Sequence, residues 1–81
     1  MVSVAPDLRI EELVLGEQSP LATATVREAA SPYDGVMIMA VRSPDGKLLV
    51  PPRADTVLNA GDLLIVVGPV DALNDLAGRA R

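Results

Sequence analysis

The chain has 81 residues, no cysteine, no histidine, Tyr33 as its one aromatic residue, and a net charge of −4. A chain of this size folds as one small domain, to about 4,600 Å² of accessible surface from about 12,200 Å² unfolded. Disulfides, thiolate and imidazole chemistry and the usual zinc ligands are excluded, and so is nucleic-acid binding, which needs cations for phosphates and aromatics for bases.

Met1-Val2-Ser3-Val4-Ala5-Pro6 carries no basic leader, and Val2–Asp7 reads as a short lead-in. Leu8–Leu15 reads as a strand whose apolar parity slips at Glu11-Glu12, which predicts a bulge or bend there. Ser19-Pro20 is a turn. Thr25 and Glu28 have the spacing of a capping box and start a short helix, Val26 to Ala30, which Pro32 stops. Val36–Val41 is a continuous apolar run, as in a strand buried on both faces. Asp45-Gly46 then marks a hairpin to a return strand, Leu48–Val50, ended by Pro51-Pro52.

Thr56–Leu58 is a short extended piece, and Asn59–Asp62 a turn in which Gly61 supplies positive φ. Leu63–Val67 is a second strand of the fully buried kind, and Gly68-Pro69 leads into a helix with Val70, Leu73, Leu76 and Ala77 on one stripe. Both apolar strands are far shorter than the roughly 20 residues of a membrane helix. The predicted order is β-α-β-β-β-α: an α+β fold, with a small mixed or antiparallel sheet and helices on one face. Its domain runs over residues 8–78, with short tails at 1–7 and 79–81. Hydrophobic residues make up 49% of the chain and mean hydropathy is +0.33, more than so small a core can hide, which predicts a subunit interface.

Few side chains offer chemistry. Asp62 reads as a turn carboxylate bonded to nearby amides rather than a metal ligand. Glu11, Glu12 and Glu17 lack calcium-loop spacing and read as a solvated acidic face. No metal site or cofactor follows from the sequence. Arg42 at a strand end and Arg53 beside Pro52 are candidates for holding an anionic ligand, with surface pairing to Asp45 or Asp55 as the alternative. Met37 and Met39 flank Ile38 and serve either core packing or an adaptable ligand or dimer surface. Ser19, Ser31 and Ser43 have no histidine partner, so the chain is not read as an enzyme.

The stretch Gly35–Arg42, then Pro44-Asp45-Gly46, then Pro51-Pro52-Arg53-Ala54-Asp55-Thr56-Val57-Leu58-Asn59-Ala60-Gly61-Asp62 and on to Gly68, resembles the TrkA-C family, the C-terminal subdomain of regulators of potassium conductance (RCK). Ser19-Pro20-Leu21 before a capped helix, and Arg27-Glu28-Ala29 within it, match too. The resemblance covers about Leu8 to Leu76. It implies a regulatory, ligand-sensing and dimerising domain of a potassium channel or cation transporter. The domain would form a homodimer, act on a membrane-embedded pore or transporter subunit, and lie at the cytoplasmic face through that parent. A small-molecule ligand would sit near the dimer interface, touching Met37, Ile38 and Pro52. The alternative is an assembly module of the same fold without a ligand. No G-x-G-x-x-G fingerprint is present, so the resemblance is to the C-terminal piece alone.

Two departures from the family pattern carry weight. Thr23-Ala24 stands where many members have Gly followed by a basic residue. The helix-to-strand connection, basic in many members, is Ala30-Ser31-Pro32-Tyr33-Asp34 here. The remaining cations nearby are Arg27, Arg42 and Arg53, so a tightly bound cyclic dinucleotide is not expected.

Overall fold

The computed structural model describes residues 2–81. Met1 lies outside them. Strands β1 (Val2–Ala5) and β2 (Leu8–Val14) form a hairpin, followed by helix α1 (Val26–Ala30). A second hairpin joins β3 (Met37–Arg42) to β4 (Leu48–Leu49), and β5 (Leu63–Gly68) leads into helix α2 (Val70–Ala80). The sheet has five strands in the order β1-β2-β5-β3-β4, every pair antiparallel. The last long strand therefore sits in the middle, between partners distant in sequence.

Both helices lie on one face of the sheet. Val26 and Ala29 of α1 and Leu73 and Leu76 of α2 join Leu13, Ile38, Val41, Leu64 and Val66 in one core. The accessible surface is 4836 Å², close to the roughly 4,600 Å² expected for this mass. The α1 cap is built as its spacing predicts. Thr25 N–H donates to Glu28 Oε1 at 2.8 Å, and Glu28 N–H donates to Thr25 Oγ1 at 3.1 Å. Accepting the Thr25 amide, and secondarily the Thr25 hydroxyl, holds the Glu28 carboxyl below its ordinary range.

The end of α2 is closed by the loop after β2. Gly16 N–H donates to the Ala80 carbonyl at 2.8 Å, and Ser19 Oγ donates to the Arg79 carbonyl at 2.6 Å. These are carbonyls that a helix cannot satisfy internally. The approach at Gly16 is so close that a Cβ there would lie 2.8 Å from the Arg81 backbone carbon. Ser19 is buried, and its hydroxyl also accepts the Leu21 N–H.

Three expectations are corrected. Residues 2–5 are not a lead-in but strand β1, turned back by Pro6-Asp7 onto β2. The parity slip at Glu11-Glu12 is not a bulge, because β2 pairs with β5 in unbroken register from Arg9↔Gly68 to Val14↔Leu63. The slip instead reflects apolar residues on both faces of an unbroken strand: Leu8, Ile10 and Val14 on one, with Glu12 between them, and Leu13 on the other after Arg9 and Glu11. The register irregularities lie between Ile38 and Ala40 of β3 and between Ser3 and Ala5 of β1.

The third correction concerns burial. The runs Val36–Val41 and Leu63–Val67 are not covered on both faces. Leu64 and Val66 are fully buried, whereas Leu63, Ile65 and Val67 between them are only half-buried and Met37 is 58% exposed. Helices cover one face only. The other, open face carries Leu8, Ile10, Glu12 and Val14 of β2, Leu63, Ile65 and Val67 of β5, Met37, Ala40 and Arg42 of β3, and Leu48 of β4.

Candidate functional site

A groove of about 480 Å³ opens where β3 lacks a neighbouring strand, a size within the range of small-molecule sites. It exists because β4 ends early. Pro51 and Pro52 have no N–H to continue the ladder, so the chain leaves the edge of β3 after Leu49. One wall is α1 with Val26, Arg27 and Ala30. The floor is Val36, Met37 and Ile38 at the start of β3, and the far wall is Pro51, Pro52 and Ala54. Ser31 and Tyr33 close one end.

The walls are clipped together through the backbone. The first amides of α1 have no intrahelical acceptor, and here they reach across the groove. Val26 N–H donates to the Thr56 carbonyl and Arg27 N–H to the Ala54 carbonyl, each at 2.9 Å. Just upstream, Thr25 bridges to Val57. Thr23 N–H donates to the Leu58 carbonyl and Leu58 N–H to the Ala24 carbonyl, both at 2.7 Å. The segment after the two prolines is thus held by the helix start rather than by the sheet.

Chemically the groove is an apolar slot with a cationic lip. Its polar side chains are the Arg27 guanidinium, the Ser31 hydroxyl and the Tyr33 hydroxyl, which accepts a long 3.5 Å bond from Arg79. A shallow depression on the outer side of Ala54 adds Arg53 beside Arg27. Arg53 pairs with Asp55 at 3.4 Å with both side chains well exposed, a contact worth little in water. This leaves Arg53 able to turn to an anion.

Of the residues singled out in the sequence, Met37, Ile38 and Pro52 line this groove and Arg53 stands at its rim. Arg42 does not join them. It ends β3 about 17 Å along the strand from Met37, exposed on the open face beside Leu63 and Leu48. Nor does Arg42 pair with Asp45, which takes the Ser43 hydroxyl and the Lys47 N–H. Ser43 first, then Lys47, hold the Asp45 carboxyl below its usual range.

Gly61 and Asp62 sit far from the groove, in the turn before β5. Gly61 has φ +88°, and its N–H donates to the Leu15 carbonyl. Asp62 is buried and its Oδ2 accepts the Asn59 N–H at 2.8 Å. A smaller cavity of about 130 Å³ lies near Asp62, between the β3–β4 hairpin and residues 56–59. Glu11 and Glu12 point to opposite faces of the sheet, and Glu11 Oε2 is buried without a hydrogen-bond partner among the described residues. Tyr33 and Val36 line the groove although nothing in their local pattern marked them. The one available signal was a lone aromatic next to a proline at the entry of a strand.

The family model of the TrkA-C domain matches residues 10–79. The chain belongs to that family. Among solved structures it is similar to the GsuK channel bound to NAD, at 25% identity and a TM-score of 0.69 over 91% of this chain. It is likewise similar to the GsuK RCK domain, at 23% identity and a TM-score of 0.70 over 90% of this chain. It spans only 14% and 17% of those two chains. No curated protein matches it.

Proposed function

We propose that this TrkA-C domain is the ligand-sensing and dimerising regulatory part of a potassium channel or cation transporter, acting from the cytoplasmic face on a membrane-embedded pore or transporter subunit. Family membership and the likeness to an RCK channel domain support the regulatory reading. One observation carries the ligand: the apolar groove between α1 and Pro51-Pro52, lipped by Arg27. Its chemistry suits a small molecule with an apolar body and a single acidic group, the body on Met37, Ile38 and Pro52 and the acid at Arg27. The role is regulatory rather than catalytic. The groove offers no nucleophile with a base beside it, and none of its lining residues is a carboxylate.

Met37 gives the groove a way to report its occupancy. It lines the groove and also stands on the open face beside Val67. An occupant that repacks Met37 alters the surface offered to a second subunit.

Amide NMR with a panel of small carboxylates, nucleotides and neutral apolar fragments tests this. Shifts at Ala30, Tyr33, Ile38 and Ala54 from an acidic, apolar-bodied probe are expected, together with a raised Tm. A panel that leaves those four amides unmoved removes the ligand and leaves an assembly module of the same fold.

A further inference from the structure

We infer that the open face of the sheet is the surface on which a second copy of this chain docks, with the two-fold axis running along β5, so that Glu12 of each copy meets Arg42 of the other. The inference rests on the dimer in the reading above and adds which face pairs and in which orientation.

Three observations lead there. The face turned from the helices is apolar except for two charges, Glu12 and Arg42. Its rim is well exposed in the single chain, with Val14 62% exposed, Met37 58% and Leu48 46%, while Ile10, Leu63, Ile65 and Val67 are half-buried and Ala40 is buried among them. Neither charge has an ion-pair partner among the described residues. Contiguous apolar surface of this kind marks an interaction site, and the two charges of opposite sign make it self-complementary.

The register fixes the orientation. Glu12 lies opposite Ile65 on one side of β5, and Arg42 lies opposite Leu63 on the other side. A two-fold axis along β5 lays β2 of one copy over β3 of the next. Glu12 and Arg42 of the other copy are then offset by about 7 Å along the strands and separated by about 10 Å between sheets, which the two long side chains together span. The contact is made twice. An axis across the strands lays β2 on β2 and β3 on β3 instead, which brings like charges together. Both arrangements satisfy the preference of packed sheets for roughly aligned strands, so the charges decide between them.

Size is adequate. Strands of four, seven, six, two and six residues, at about 3.4 Å per residue and about 4.8 Å per strand, give a flat area of roughly 400 Å² per copy, or roughly 800 Å² in all, the scale of a weak, reversible interface. Pairing through the sheet edges does less. β4 has two residues and is followed by two prolines, the free edge of β3 is only the short stretch before Val41, where the groove lies, and pairing at either that edge or β1 leaves the apolar face in water.

Sedimentation equilibrium on the 81-residue chain, with circular dichroism as the check on folding, decides it. The wild type is expected at twice its 8.4 kDa mass. Glu12→Arg alone and Arg42→Glu alone each put like charges across the interface and weaken the dimer by about tenfold or more. The double variant exchanges the signs and restores wild-type affinity. Mixing the two single variants gives a heterodimer tighter than either variant with itself. A monomeric wild type overturns the dimer reading and this face together. A wild-type dimer indifferent to both reversals overturns this face alone and leaves the dimer to another surface.

Discussion

Thr23 has a backbone φ of +83°, a region that L residues avoid and β-branched ones most of all. The surrounding bonds hold it there. Its N–H donates to the Leu58 carbonyl at 2.7 Å, and the next residue's carbonyl accepts from Leu58 at the same distance. The side chain is exposed, and its hydroxyl has no partner among the described residues. Replacing Thr23 by glycine therefore loses no contact. It relieves about 1–2 kcal/mol of left-handed strain and adds about 0.5–1 kcal/mol of unfolded-chain freedom. The net expectation is a gain of about 0.5–1 kcal/mol, or roughly 2–8 °C in Tm for a domain of this length. Differential scanning calorimetry and urea denaturation both read this, with the urea slope unchanged. Thr23→Ala is the control, since it shortens the side chain but keeps the forbidden hand, and less than half of the gain is expected from it. A glycine variant that melts at or below the wild type, or an alanine variant that matches it, refutes the strain argument. The family resemblance points the same way, since many members carry glycine in this region.

Three further perturbations follow from the same coordinates. Gly61→Val forces a β-branched residue to φ +88° with its Cβ 3.0 Å from Pro44, and is expected to lose about 1–3 kcal/mol in chemical denaturation; Asp62→Ala removes only the acceptor of the Asn59 N–H and loses about 1 kcal/mol, so a neutral Gly61→Val dismisses the turn. Glu28 has its folded-state pKa lowered by the Thr25 amide and hydroxyl, so its contribution is full above the unfolded value near 4.3 and fades as pH falls through the lower folded one. Wild type and Glu28→Gln should differ at neutral pH and converge in acid below about pH 4, and a gap that persists unchanged at low pH refutes the assignment. Cyclic di-AMP, titrated calorimetrically at moderate salt, is expected to bind more weakly than about 1 μM, because the groove presents Arg27 and Arg53 but no cation from the α1–β3 connection; tighter binding restores a nucleotide-sensing role.

What the sequence disclosed was local. Thr25 and Glu28 lie three residues apart, and so did the argument for their cap. The hairpin after β3 was legible in Asp45-Gly46 for the same reason. The pairing of β2 with β5 joins Arg9 to Gly68, and no local pattern carries that. β1 was lost because four residues before Pro6 are too few to show alternation. The two apolar runs were misread for a more informative reason. A strand covered by helices on both faces and a strand with one face left open can have the same composition, and only the placement of α1 and α2 separates them. At the groove, Met37, Ile38 and Pro52 came from the family resemblance. Arg27 stood among the nearby cations with Arg42 and Arg53, but its place in a capped helix said nothing of the residues across from it.

The groove and the open face share one residue, and this ties the two proposals together physically. Met37 ends a row on the open face with Val67 and Ile10, and its flank forms part of the groove floor. Methionine repacks without strain, so it has a different rotamer available for each occupancy of the groove. Any ligand that binds the dimer more tightly than the monomer must strengthen the dimer by the same factor, since coupling between binding equilibria is reciprocal. The affinity of the groove then depends on protein concentration below the dimer's dissociation constant and not above it. On the two proposals taken together, a chain too short to bury its own apolar residues would gain a way to transmit a signal, because the surface left uncovered by its helices borders the groove at Met37.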